Sequence, residues 1–285
     1  MTKGLFKKNI NRSIGGNLLV FLVVLLLACF MLLPIVYAVS SAFKPLDEIF
    51  IFPPRMFVRK PTLDNFVQLA QITSSSWVPL SRYIFNSLFV SAAGTVGHML
   101  MASMAAYPLA KHHFIGQRTI SGVVKLSLLF TSAVTAIPQY IVMSSIGIVN
   151  TYWALIFPAF QAALGLYLMQ SFMGQIPEEM LEAARIDGAG ELRIFWRIVM
   201  PNVKPAWLTV IIFSFQTVWN NVGSSVIYDE KIKLLGSLLT QVTAAGTARA
   251  GAGAALGLIL MIPPILLFVL SQRRVIETMS TSGMK

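Results

Sequence analysis

Five runs free of Asp, Glu, Lys and Arg limit what this chain can become: residues 18–43, 83–110, 126–177, 205–228 and 250–272. A helix that crosses a bilayer needs about 20 mostly apolar residues, because hydrocarbon offers the backbone no hydrogen-bond partner and a helix satisfies itself. Four runs are one crossing long. The run 126–177, at 52 residues, is too long for one and breaks at Gly147-Ile148-Val149-Asn150. The pattern predicts six spans, at about 18–43, 83–110, 120–145, 151–173, 205–228 and 250–272. Only 12% of the 285 residues are charged and 56% are hydrophobic, against about 25% charged in soluble domains. No soluble core hides that much apolar surface. The chain reads as an all-α integral membrane protein, a single transmembrane domain over 1–285.

The net charge of +11 would point to nucleic acid in a soluble protein. Here the charges lie between apolar runs and read as membrane topology, so no nucleic-acid partner is expected. With the N-terminus inside, the inner segments carry 14 of the 22 Lys and Arg residues, among them Lys3, Lys7, Lys8 and Arg12. The positive-inside bias therefore places both termini in the cytoplasm. The first run exceeds the roughly 7–15 apolar residues of a signal core, which favours an uncleaved span. Cys29 lies inside an apolar run and says nothing about redox compartment.

Proton- and cation-coupled carriers commonly hold a carboxylate at mid-membrane, and these spans contain none. A phosphate-cradling G-x-x-x-x-G-K-[ST] loop, a metal-ligand cluster and a G-x-S-x-G elbow are also missing from the sequence. The chain reads as a non-enzyme with no cofactor of its own. Any energy for uphill transport must come from another subunit.

The segment 176–204, cytoplasmic by this topology, holds nine charged residues. Pro177 with Glu178 and Glu179 makes a good helix start. Gly188 and Gly190 break that helix, and a second helix is expected from about Glu191 to Met200, ended by Pro201. Two short amphipathic helices joined by a glycine elbow read as a docking surface, with a loop resting on lipid headgroups as the plainer alternative. Arg185 and Asp187 are a candidate local pair.

Glu182-Ala183-Ala184, then Gly188, Ile198 and Met200-Pro201, have the spacing of the EAA loop. On these residues the chain resembles the carbohydrate-type permeases of ABC importers. Pro61-Thr-Leu-Asp-Asn-Phe66, Ala106-Tyr-Pro-Leu109 and the closing Gly283-Met-Lys285 are similar to the same branch. The tail departs from it, with Arg273-Arg-Val-Ile-Glu-Thr-Met where relatives carry an early glycine. The resemblance implies a type I importer permease fold. It also implies that the loop seats in a cleft of an ATPase subunit: Glu182 facing a basic residue, Ala183 and Ala184 allowing close approach, Gly188 turning the chain, and Asp187, Ile198 and Pro201 completing the motif. Further implications are a second, non-identical permease, two ATPase copies that bind ATP and Mg, an extracytoplasmic solute-binding protein, and a bacterial cytoplasmic-membrane location among lipids.

A sugar path needs aromatic faces with amides or hydroxyls. Gln216, Trp219 and Asn220 share a helical face by the i, i+3, i+4 rule, and Asn221 follows. Each is a candidate for the path, with bonding between helices as the alternative. Asn86, His98, Gln139, Gln161 and Gln170 are weaker candidates, His98 reading better as a packing histidine. Gly253 and Gly257 suit close helix contact, and the small-residue stretch 243–249 is expected to be flexible. The cargo expected is a sugar or oligosaccharide; the alternative is a solute such as glycerol phosphate or a polyamine.

Overall fold

In the computed structural model, residues 14–75, 78–223 and 225–282 are described; the basic residues of the first 13 positions and the closing Gly283-Met-Lys285 lie outside them. Fourteen α-helices are described, with no strand among these residues: α1 Ile14–Ala42, α2 Leu46–Ile49, α3 Asp64–Ser75, α4 Leu80–Lys111, α5 Gln117–Ser127, α6 Ser132–Ser145, α7 Tyr152–Phe160, α8 Ala163–Gly174, α9 Glu178–Ile186, α10 Glu191–Ile194, α11 Met200–Asn202, α12 Lys204–Trp219, α13 Leu235–Ala244 and α14 Ala250–Ser282.

The six-span expectation is met only in part. Four helical stretches among the described residues are long and apolar enough to cross a membrane: Gly15–Ala42, Leu80–Lys111, Tyr152–Gly174 and Thr247–Gln272. A fifth is obtained if α10–α11 and α12, which meet at an 80° bend, count together. The predicted span 120–145 is two helices, α5 and α6, separated at residues 128–131. Ser127 Oγ donates back to the Val124 carbonyl at 2.7 Å, and Thr131 takes the extended conformation of a helix entry; such side chains favour helix ends over interiors. The predicted span 205–228 ends early at Trp219, because the Asn221 side chain accepts from Gly223 N at 2.9 Å and turns the chain.

Helix α4 is the hub, packed against α7, α8 and α12. Between the larger buried residues Tyr83, Val90, Tyr107 and Leu109, its buried face is mostly small or polar: Ser87, Ser91, Gly94, Thr95, His98, Ala102, Ser103 and Ala106. Small residues let membrane helices approach where lipid supplies no hydrophobic drive between them. His98 joins three elements. Its Nε2 donates to the Ala162 carbonyl at 3.0 Å, so Nδ1 accepts from Ser214 Oγ at 3.1 Å. A Cβ on Gly165 would overlap this imidazole, which is why α8 can lie so close. His98 is thus a packing histidine. His98→Leu should leave a carbonyl and a hydroxyl unpaired, costing about 1–3 kcal/mol. Thermal unfolding in detergent checks this, and an unchanged midpoint would contradict it.

Three buried clusters follow. One lies beneath α9–α11, built from Tyr107, Met169, Met173, Leu181, Ile194, Phe195 and Val199. A second joins α3, α13 and α14 around Leu69, Trp219, Leu235 and Leu256. The third gathers Val90, Leu155, Val218 and Ile227. By contrast, the apolar window of α1 has no buried residue.

Candidate docking surface and intramembrane cleft

Segment 176–204 is held by the helix bundle rather than lying loose. Leu181 and Ala184, on one face of α9, are buried against the first cluster, while Glu182 and Ala183 on the other face are exposed. The helix ends in a Schellman pattern: Ala189 N donates to Ala184 O and Gly188 N to Arg185 O, both at 3.0 Å. That ending needs a left-handed residue, and Gly188 supplies it at φ +77°. Among the described residues Glu182 has no ion-pair partner, so its carboxylate is presented outward on a backbone fixed by the glycine turn. Asp187 is the exposed C-cap residue, and Ile186, Leu192 and Trp196 add exposed apolar surface nearby in sequence.

Two expectations for this segment are corrected. Pro201 does not end the second helix, which runs through Asn202 and breaks at Val203. Proline cannot donate to Arg197 O and its ring crowds that carbonyl; the chain absorbs this as a π-turn over Phe195–Val199, with Met200 N bonded to Phe195 O. Ile198 is half-buried in that turn and its carbonyl accepts from Asn202 Nδ2 at 2.7 Å. Arg185 does not pair with Asp187. Its Nε donates to Glu191 Oε1 at 2.9 Å, and Glu191 Oε2 accepts from Tyr107 OH at 2.7 Å. The Tyr107 bond first, and Arg185 with it, hold the Glu191 carboxyl below the usual range despite the opposing effect of burial.

At the other end of the bundle, Gln216, Trp219 and Asn220 line one cleft of about 630 Å³ between α12, α13 and α14, with Thr240 and Gly257 across from them. Trp219 Nε1 donates to the Leu260 carbonyl at 3.0 Å. That carbonyl is open because Pro264, four residues on, has no N–H to give it. Asn221 is outside the cleft, occupied with Gly223 N. Of the weaker candidates, Gln139 and Gln161 bond each other at 3.2 Å in a separate cleft of about 480 Å³. Asn86 is fully buried between Tyr152 and the Lys231 and Lys233 carbonyls, and Gln170 reaches Ser121. Gly253 meets Thr243 of α13, whereas Gly257 opens on the cleft.

The sequence reading missed α13, whose buried Leu235, Leu238 and Val242 pin it to the bundle. The stretch 243–249, expected to be flexible, begins in the last turn of α13 and closes on a 3₁₀ turn, Thr247–Arg249. Glu230, just before α13, bonds Lys233, Tyr83 and Gln241. Burial pushes its carboxyl up, but these bonds together hold it below the usual range. A depressed folded value adds stability above the ordinary carboxylate range of about 4.3, lost as pH falls through the lower folded value. The stability advantage of wild type over Glu230→Gln in detergent should therefore shrink below about pH 4; an advantage independent of pH would contradict it.

The architecture matches solved transporters. Over 93% of this chain and 99% of theirs, it is similar at TM-score 0.74 and 21% identity to a chain in the crystal structure of a bacterial ABC transporter involved in the import of the acidic polysaccharide alginate. A chain of the MetNI methionine ABC transporter is similar at TM-score 0.52 and 16% identity, over 74% and 96%. The fold is thus that of an ABC importer permease. The chain belongs to the family described as binding-protein-dependent transport system inner membrane component, which its residues 98–280 match. It is 32% identical to protein LplC of Bacillus subtilis (strain 168), over 74% of this chain and 70% of that one. It is 30% identical to the polygalacturonan/rhamnogalacturonan transport system permease protein YtcP of the same organism, over 74% and 72%. The diacetylchitobiose uptake system permease protein NgcG of Streptomyces coelicolor is 27% identical, over 87% and 82%. The family's members are membrane permease subunits, transporters rather than enzymes, and the chain is accordingly a bacterial inner-membrane protein.

Proposed function

We propose that this chain forms half of the pore of an ATP-driven importer for a sugar or oligosaccharide. In this reading α5 and α6 together make the third crossing and the bent α12 the fifth, giving six, with both termini and segment 176–204 cytoplasmic. The exposed face of α9 seats in an ATPase subunit: Glu182 meets a basic residue there, Ala183 permits contact, and Gly188 sets the elbow. Asp187, Ile198 and Pro201 shape the segment behind it. The observation that carries the reading is this α9 surface, rigid on its buried face and unpartnered on its other. Two ATPase copies, binding ATP and Mg, close and push on two such surfaces. The pore then shifts between inward-open and outward-open packings, as far as nucleotide prefers one over the other.

A second permease completes the pore, and an extracytoplasmic binding protein delivers cargo. The cleft of Gln216, Trp219 and Asn220, an aromatic edge beside two amides, suits sugar hydroxyls, while Asn221, outside it, holds the turn that ends α12. Support for a carbohydrate cargo comes from the names of YtcP and NgcG and from the alginate importer. Purification under mild detergent followed by mass spectrometry tests the assembly. Recovery of a second permease and an ATPase is expected; a solitary chain that still transports would contradict it.

A further inference from the structure

Three elements converge on one carboxylate at the α9–α11 end. Glu191, at the first position of α10, accepts from Tyr107 of α4 at 2.7 Å and from Arg185 of α9 at 2.9 Å. His112 Nε2, just past the end of α4, stands 3.6 Å from the same carboxylate oxygen that Tyr107 holds. Rings brace the junction: Tyr107 meets His112 edge-on at 5.3 Å and leans on Phe195 at 5.6 Å. Lys111 Nζ, in the last turn of α4, donates to the Gly174 and Ile176 carbonyls that lead from α8 into α9. Beneath these bonds Leu181, Ala184, Ile194 and Phe195 are buried with Tyr107 in one cluster.

We infer that Tyr107, Glu191 and Arg185 form a strut that makes α9 and α4 move as one body, carrying displacement of the docking surface into the central helix of the bundle. The inference rests on the proposed ATPase coupling and adds the residues through which the push travels. The physical reasons are local. Apolar packing alone permits sliding, because it has no direction, whereas hydrogen bonds to a charged group are stronger than neutral ones and fix geometry. A carboxylate shared by an O–H from α4 and a guanidinium from α9 ties the two elements together, the part-buried Tyr107 bond more firmly than the Arg185 pair, whose side chains are 40% and 49% exposed. Helix α4 is also the element on which α7, α8 and α12 pack, so a displacement delivered there reaches the whole bundle. These three are positioning residues: they need touch neither nucleotide nor cargo.

The test uses the complete reconstituted transporter with Cys29, the chain's one cysteine, replaced by Ser. Spin labels at Val96→Cys on α4 and Met180→Cys on the flank of α9, both exposed positions and the second away from the Glu182 face, report their separation by pulsed electron resonance with and without Mg·AMPPNP. With the strut intact, one narrow distance is expected in both states. Tyr107→Phe and Glu191→Ala should broaden it at least twofold and cut ATP-driven uptake at least tenfold, while the ATPase still co-purifies and its basal hydrolysis persists. Glu191→Gln, which keeps an acceptor for Tyr107, should fall between. If Glu191→Ala fails to assemble, Tyr107→Phe removes a single oxygen atom and decides alone. Unchanged distance and uptake in Tyr107→Phe would overturn the strut and leave the importer reading standing. Failure of that reading shows separately, as uptake independent of ATP in the unsubstituted complex.

Discussion

Gly188→Val is expected to abolish uptake and release the ATPase while the chain still inserts in the membrane. The residue sits at φ +77°, where an L side chain costs about 1–2 kcal/mol and a β-branched one more. An added Cβ would meet nothing within 4 Å, so the damage comes from the backbone and not from a clash. Strain there unwinds the Schellman turn and re-aims α9, whose Glu182 face is exposed and which is not among the stretches long and apolar enough to cross a membrane. A graded series separates this from general disruption: Gly188→Asn mildest, since Asn tolerates the left-handed region, then Ala, then Val. Glu182→Lys tests the same surface with the backbone untouched. Hydrogen bonds to charged groups are worth about 1.5–3 kcal/mol, so reversing the charge should weaken ATPase capture by at least tenfold. Normal uptake in both Gly188→Val and Glu182→Lys would remove the docking assignment.

Trp219 carries the second large effect. Its ring is 3% exposed and stacks on Phe215 at 5.6 Å, while its N–H serves a carbonyl that the proline of α14 leaves open. Trp219→Ala removes ring and donor together, and truncating a buried Trp costs about 3–5 kcal/mol. Trp219→Phe keeps most of the packing and orphans the Leu260 carbonyl, at about 1–3 kcal/mol. Thermal unfolding of the detergent-solubilised protein measures both, and uptake is expected to fall in the same order. Gln216→Ala and Asn220→Ala, whose side chains face the cleft, should lower uptake with little change in stability. A Trp219→Phe protein as stable as wild type would show that the indole bond across α12 and α14 contributes nothing.

Sequence periodicity located helices wherever one feature, freedom from charge, was enough. Helices α1 and α4 fall where uncharged runs place them, and α14 starts with its run at Ala250 but continues past it to Ser282. The break inside the expected span 120–145 was not legible, because Ser127 and Thr131, which flank it, are polar but uncharged. The end of α12 was misread for the same reason, since Asn221 ends it through a side-chain turn that an uncharged run conceals. Within segment 176–204 the glycine elbow was legible because a left-handed helix ending needs Gly at one position. The partner of Arg185 was not, since Glu191 comes back to α9 only after the elbow has been folded. Gln216, Trp219 and Asn220 were legible as one face from spacing alone. The bond that positions Trp219 was not, because it depends on a proline far along the chain.

Reconstitution tests the central claim most directly: proteoliposomes carrying the purified complex, with Mg·ATP inside the compartment that the α9 surface faces and the binding protein on the opposite side. The account predicts accumulation of labelled oligosaccharide that requires ATP and the binding protein and is lost in Gly188→Val. Uptake at the same rate without ATP, or uptake retained in Gly188→Val, would contradict it.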